Sequence, residues 1–575
     1  MNTVKPFVLA ALVLPAAAGV SPGARHYPDY STAGMVASAE PHATAAGFEI
    51  LTRGGNAADA AAAVGFALAV TYPNAGNLGG GGFLVYRAAD GTVATLDFRE
   101  KAPSAVSYGM FLDSDGEPVP ELSRRGLLAS GVPGSVAGLL EIHRRWGSGK
   151  LTRGDVLAPA IRLAEQGFPV SHDFHEGLVA NRAWLGGIQS TARVLYPDGQ
   201  IPAPGSLFRQ PGLAATLREL AARGRDGFYT GWVADSLVAL MEREGGLISH
   251  DDLAAYQPVV RPPVTFSFRD YRVFSMGPPS SGGIVLGQVL GLLEPFGLLE
   301  LGHNSAAYAN RLVEAERLAY ADRNHWLGDM DFTDMPLAGL LSPEYLDSRR
   351  RRIPLGRAGA SGSAGHGAPE HPETTHYCVV DSMGGAAAIT TTLNGGYGNG
   401  WVVPGAGFFL NNEMDDFTVA PGRPNMFGLV QGVANLIEPG KRMLSSMTPT
   451  IVTKLVPDGG EKLFLVAGAA GGPRIITVTL QIILNATIFG MNVRQAVDAP
   501  RFHHQHLPDI LYHEPGTFGT ETARRLRAMG YKLSVQEQLG NASAIMALPD
   551  LWLTGWADGV GAGAGTGRDG NPKTE

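Results

Sequence analysis

Cysteine is nearly absent from this 575-residue chain: Cys378 stands alone, so no intramolecular disulfide can form and no zinc or redox site can rest on paired thiols. Charge is sparse as well. Only 17% of residues are Asp, Glu, Lys or Arg, and 45 basic against 53 acidic residues leave a net of −8, the wrong sign for holding a polyanion. Nucleic acid is therefore excluded as a natural partner. Long apolar runs are missing beyond the first twenty residues, so no later segment spans a bilayer. There is no Walker loop, no HExxH and no GxSxG elbow. The Gly-rich stretch Asn77–Gly82 follows a helical pattern and precedes a strand pattern, the reverse of what a dinucleotide loop requires.

What is abundant is glycine, 77 residues or about twice ordinary usage, without a collagen period. Aromatic content of 8% and a mean hydropathy of +0.02 fit a large globular core. The amino terminus has the form of an export signal: Lys5, an apolar stretch from Pro6 to Val20, then small residues around Ala16–Ala18. Removal near Ala18 or Ala24 would leave a mature chain in a periplasm or outside the cell.

Along the chain, Pro41–Val70 has a helical pattern with Asn56 as an N-cap before an Ala-rich run. Phe83–Tyr86 and Thr92–Phe98 form a hairpin about Ala88–Gly91 that ends at Arg99-Glu100. Residues 130–350 are mainly helical by period, Ser305–Leu327 most clearly. Gly356–Glu373, rich in Gly, Ala, Ser and His, has the composition of a linker. After it the pattern changes to strand. Thr374–Asp381 and Ala386–Asn394 flank the turn Ser382–Gly385, and a hairpin centred on Met383 sets Thr392 across from Thr374. Further on, Leu463–Val466 has the pattern of a buried strand. Gly468–Gly472 follows as a sharp turn, and Pro473–Ile476 as a helix start with Pro at N1 and free backbone N–H groups. Gly555–Glu575 has the composition of a loop or frayed tail.

Two clusters invite chemistry. His503, His504 and His506 suggest a metal, but neighbouring histidines on a strand alternate in direction, which favours hydrogen-bonded structural histidines. Thr374 is the other. A threonine hydroxyl needs a base, and cleavage of Glu373–Thr374 would create one, an α-amine of pKa about 8 on the same residue. On these residues alone, a Thr-rich strand start is the favoured account of Thr374-Thr375, because Thr pairs are common in strands.

A resemblance weighs the two readings. The blocks Thr374–Tyr377, Thr392–Asn394, Leu410–Phe417, Lys441–Met447 and Gly471-Gly472 have the order and approximate spacing of the γ-glutamyltransferases. In the first half Gly54–Ala60, Asn77–Phe83, Asp97–Glu100, Gly131–Gly134, Pro279–Gly283 and Ala321–Arg323 agree, so the likeness runs from about Ala37 to Met546. The chain resembles this family of N-terminal-nucleophile hydrolases. The resemblance implies a four-layer α/β/β/α sandwich with two antiparallel sheets between helical layers. It also implies cleavage at Glu373–Thr374 into a large subunit (residues 25–373, after a leader of 1–24) and a small one (374–575) woven into one fold.

In the implied site Thr374 is the nucleophile, Thr392 orients its amine, and Gly471 and Gly472 stabilise the oxyanion. Arg99, Ser445 and Ser446 would take a substrate α-carboxylate; Asn394, Glu413 and Asp416 would take its ammonium. Taken singly, Arg99 fits an ion pair with Asp97 or Glu100 equally well, and Asp415-Asp416 fits a cap. Phe417–Lys441 is either a lid over the pocket or an ordinary long surface loop. The implied reaction moves a γ-glutamyl group, as from glutathione, to water, an amino acid or a peptide, with no metal or organic cofactor. A related acylase for glutaryl side chains is the nearest alternative, and an uncleaved secreted binding protein is one of another class. The sequence departs from the family pattern at Gly395–Gly398, at Phe427 in the lid and in the Gly-rich end from Gly555.

Overall fold

A computed structural model describes residues 28–362, 372–549 and 552–558. The expected leader, residues 363–371 of the linker and the end beyond Asp558 lie outside them. In chain order the strands are β1 (Asp29–Ser31), β2 (Gly34–Ser38), β3 (Gly81–Arg87), β4 (Val93–Asp97), β5 (Phe168–Pro169), β6 (Leu207–Phe208), β7 (Val259–Arg261), β8 (Val264–Phe268), β9 (Tyr271–Ser275), β10 (Pro372–Asp381), β11 (Ala386–Gly395), β12 (Thr450–Leu455), β13 (Glu461–Ala469), β14 (Phe502–His503), β15 (Leu511–His513), β16 (Leu533–Val535), β17 (Ala542–Ala547) and β18 (Leu553–Ala557). Two sheets dominate, a seven-stranded one in the order β1-β18-β17-β13-β12-β9-β8 and a six-stranded one in the order β2-β10-β11-β3-β4-β7. Every pairing within them is antiparallel.

The sheets face each other across a buried layer in which Met35, Val85, Cys378 and Val380 meet Phe274, Ile451, Val466 and Ile545. Helices cover the outer faces. Ala57–Thr71, Ser135–Trp146, Arg153–Gln166 and Pro211–Arg223 belong to the core beside the six-stranded sheet, and Gly282–Leu293, Ala306–Trp326 and Arg474–Thr487 to the core beside the other. This is the expected four-layer sandwich. Among the described residues no helix is long and apolar enough to cross a membrane.

Local chemistry explains the framework. Asn56 caps Ala57–Thr71 in a reciprocal box with Asp59, and every residue of that helix is buried. Small side chains permit this: a Cβ on Gly65 would sit 2.7 Å from the Tyr377 hydroxyl of β10. The Met383 turn is closed by Asp381, whose carboxylate accepts from the Met383 and Gly385 amides at 2.9 Å each.

Four expectations need correction. Pro41–Val70 is two helices, Pro41–Thr52 and Ala57–Thr71, because Gly54 at φ +90° breaks the run. The mainly helical stretch 130–350 also contains β7, β8 and β9, where Val264-Thr265-Phe266-Ser267-Phe268 alternates with a period of two. Pro473 is the N-cap of its helix, which starts at Arg474. Gly555–Ala557 are not tail but part of β18, held on both sides by β17 and β1.

Candidate active site

β10 and β11 build the centre of the site. Thr374 pairs with Thr392 as the hairpin arithmetic predicts, and their hydroxyl oxygens are 3.2 Å apart. One step toward the linker the register shifts, so that Leu393 and Asn394 lie between the partners of Thr374 and Pro372 on β11 whereas β10 has only Glu373. Asn394 absorbs the extra residue at φ +75°, a conformation asparagine tolerates better than most residues. Its amide donates to the Thr392 hydroxyl oxygen at 2.8 Å. The Asn394 side-chain Nδ2 donates to the Asn412 carbonyl at 3.0 Å, leaving Oδ1 as an acceptor.

A single small cavity is lined by Arg99, Arg323, Thr374, Thr392, Asn394, Glu413, Asp416, Ser445, Ser446 and Gly472, closed by Phe427, Leu429, Met447, Pro473 and Ile475. Of the predicted site residues only Glu373 and Gly471 are not in this lining. Gly471 is the neighbour of Gly472 in the turn between β13 and the helix Arg474–Thr487. At φ +135° and +58° the two glycines take a bend that a side chain would strain. Neither backbone N–H has an acceptor among the described residues.

Electrostatics divides the pocket. Arg99 is fully buried, and its guanidinium contacts Glu413, Asp416 at 2.5 Å and Glu100 at 3.6 Å, while Nε donates to the Met443 carbonyl at 3.2 Å. Three carboxylates thus crowd one cation. Burial raises Glu100 to about 7 and Asp416 to about 6, and lifts Glu413 well above the carboxylate range, although Arg99 pulls each back. Both oxygens of Glu100 and Oε2 of Glu413 are buried without a hydrogen-bond donor among the described residues. Ser445 and Ser446 line the same cavity, supported by the Pro279–Ser281 loop: Ser281 Oγ donates to the Ser445 carbonyl at 2.7 Å and Ser280 Oγ to that of Met447 at 2.6 Å.

Phe417–Lys441 lies over this pocket. Asn425 Nδ2 reaches Asp416 Oδ1 at 3.4 Å, the Met426 amide donates to Asp415 at 2.9 Å, and Gln505 donates to the Phe427 carbonyl at 2.9 Å. His503 and His504 serve structure, as expected: His503 bonds Thr477 and Gln505 at 2.8 Å each, and burial lowers it to about 3, keeping the ring neutral.

Sequence reasoning assigned no role to Arg323, Ser281 or Tyr320. All three stand within or beside quoted blocks. The helix Ala306–Trp326 places Tyr320 and Arg323 at the site, three residues apart on one face, with Tyr320 donating to the Pro473 carbonyl, and Ser281 stands at the start of the helix Gly282–Leu293.

With this geometry in view, comparison with known proteins is decisive. The gamma-glutamyltranspeptidase family model matches residues 43–567. The chain belongs to that family. It is 44% identical to the glutathione hydrolase proenzyme of Escherichia coli over 536 residues, which is 92% of this chain and 91% of that one. Among solved structures, a cephalosporin acylase from Bacillus halodurans superposes with a TM-score of 0.84 at 27% identity, covering 97% of this chain and all of its own. Helicobacter pylori gamma-glutamyltranspeptidase superposes at 0.55 with 40% identity, covering 56% of this chain and 92% of its own.

Proposed function

We propose that this family member is a self-cleaving γ-glutamyltransferase that moves the γ-glutamyl group of glutathione and similar donors to water, amino acids or peptides. The observation that carries the reading is the convergence, in one small cavity, of the Thr374–Thr392 pair with a carboxylate cluster and a serine pair. A γ-glutamyl group presents a free ammonium and a free carboxylate beside the reacting amide, and the cavity offers a partner for each.

In processing, Thr374 Oγ attacks the Glu373 carbonyl and the peptide nitrogen leaves as the Thr374 amine, converting amide to ester. Water hydrolyses the ester. The products are a large subunit ending at Glu373 and a small one starting at Thr374. The new amine then takes the hydroxyl proton as Oγ attacks the donor's γ-carbonyl. Charge develops on that oxygen, and the N–H groups of Gly471 and Gly472 are suited to receive it, a contribution of roughly 3 kcal/mol per donor in comparable sites. The donor's amine departs with the proton, and water or an acceptor amine resolves the acyl-enzyme. Thr392 holds the amine, Arg99, Ser445 and Ser446 hold the α-carboxylate, and Asn394, Glu413 and Asp416 hold the ammonium. The lid Phe417–Lys441 keeps bulk water from the ester and so favours transfer. Residues 1–24 act as an export leader, delivering the enzyme to a periplasm or the exterior.

Intact mass and amino-terminal sequencing test the scheme. Wild-type protein yields two chains, the second beginning at Thr374, and hydrolyses a γ-glutamyl anilide; Thr374→Ala stays whole and inactive. An uncleaved wild type would overturn the mechanism and support the binding-protein alternative. The likeness to a cephalosporin acylase keeps a glutaryl substrate in view. A glutaryl group lacks the ammonium that Asp416 and Glu413 are placed to bind, so the wild type prefers the γ-glutamyl anilide to the glutaryl one; the reverse order would make it an acylase.

A further inference from the structure

Among the described residues most buried guanidinium groups contact carboxylates: Arg99 meets Glu413 and Asp416, Arg261 meets Asp97, Arg317 meets Glu314, Arg442 meets Asp97 and Arg501 meets Glu514, while Arg87, away from the pocket, bonds the Gly384 carbonyl. Arg323 departs from this pattern. It is 1% exposed and lines the pocket, yet among the described residues no carboxylate lies within 4 Å of it. Its partners are neutral: Ser281 Oγ at 3.0 Å, Asn324 Oδ1 at 3.0 Å, Gln431 Oε1 at 3.3 Å and Ser446 Oγ at 3.1 Å. Burial lowers its pKa to about 10, which leaves it cationic at neutral pH. Asp416 acts on it through space without touching it, so this buried cation beside a ligand cavity has no carboxylate in contact and gains one only with a ligand that brings it.

The direction of the Ser446 hydroxyl follows. Because its oxygen accepts from Arg323, its proton is donated elsewhere, and the cavity lies on its open side. Glu100, Glu413 and Asp416 crowd around Arg99 and balance much of its charge before a substrate arrives. Arg323, which Asp416 influences without touching, meets the cavity through Ser446.

We propose that Arg323 is the second carboxylate-reading cation of this pocket: it holds Ser446 so that the hydroxyl donates to the substrate's α-carboxylate and places its own charge behind that bond. The inference rests on the γ-glutamyl reading above and adds a specificity residue to it. Arg323 acts through Ser446 as a positioning residue, distinct from the acylation machinery at Thr374.

Three anilide donors test it: γ-glutamyl, with both charged groups; glutaryl, with the carboxylate alone; and 4-aminobutyryl, with the ammonium alone. Arg323→Met raises KM about tenfold or more for the first two, leaves it unchanged for the third, and leaves kcat for γ-glutamyl nearly intact, the pattern of lost uniform binding. Arg323→Lys, which keeps the charge and loses the fork, falls between. Equal KM increases for all three donors, or a fall in kcat alone, would overturn the proposal and reduce Arg323 to a structural role. If Arg323→Met is not cleaved before Thr374, the Lys variant decides by the same comparison. Calorimetric binding of glutaric monoamide against 4-aminobutyramide separates this inference from the functional reading. A wild type that binds the first, loses it in either variant, and turns over no γ-glutamyl donor would retain the carboxylate role and reject the transferase. Unchanged binding of both amides in the variants would reject the role itself.

Discussion

At the scale of single residues, the proposed ammonium-binding role of Asp416 predicts an acid limit for substrate capture. Burial raises its carboxyl to about 6 against the partial opposition of Arg99. Above that pH it is ionised and attracts an ammonium; below it the proton cancels the attraction, at a cost of about 1.4 kcal/mol per pH unit. KM for a γ-glutamyl anilide therefore rises toward tenfold per unit as pH falls below about 6. A glutaryl donor shows no such rise. In Asp416→Ala the acid limb disappears and γ-glutamyl KM increases by about 10- to 100-fold at pH 8, the usual range for a charged hydrogen bond. Steady-state kinetics from pH 5 to 9 check both statements, and an acid limb that survives in Asp416→Ala would assign it to another group.

At the scale of elements, the helix Ala306–Trp326 joins the pocket to the body of the molecule. Among the described residues its buried Glu316 carboxylate accepts only the His504 amide, at 3.0 Å, and has no cation in contact. Burial raises its pKa well above the usual value. A raised carboxyl pKa means that the folded state binds this proton more tightly, so the stabilisation is complete below about pH 4 and declines as pH rises toward the folded value. Glu316→Gln keeps the acceptor and removes the titration. The variant melts about 2 °C higher than wild type at pH 8 and no higher at pH 4, as judged by calorimetry. A pH-independent difference would show that Glu316 is not the group responsible.

This helix also marks what could be read in advance. Its periodicity announced it, yet which residues it delivers to the cavity depends on a rotation set by packing against Gly282–Leu293, which no local pattern encodes. Thr374 and Thr392 were legible because a tight turn fixes register over short distances, whereas the meeting of Arg99 with Glu413 and Asp416 spans more than 300 positions and appeared only as a family likeness. β8 and β9 carried a readable alternation that the surrounding helices masked. The strand role of Gly555–Ala557 was hidden because one of its partners, β1, lies at the opposite end of the chain.

At the scale of the whole molecule, the proposed cut falls inside a woven structure. Strands from before Thr374 pair with strands after it at β1–β18, β2–β10, β3–β11 and β9–β12. β10, which would start the small subunit, lies between β2 and β11. The cleaved pieces therefore stay together without any covalent tie and elute as one species under native conditions. Denaturation separates the two cases. Thr374→Ala, still one chain, recovers its circular dichroism after dilution from guanidinium; the cleaved wild type, whose pieces must find each other in solution, recovers less, and less again at lower protein concentration. Equal recovery that is independent of concentration would mean that the pieces fold separately and dock.

Strand interleaving makes the order of events matter. Under the proposed cut, the sheets form while one chain tethers them and outlast the loss of that tether, so a molecule of this design would record its own history: the route by which it was made is easier than the route back once its pieces are apart.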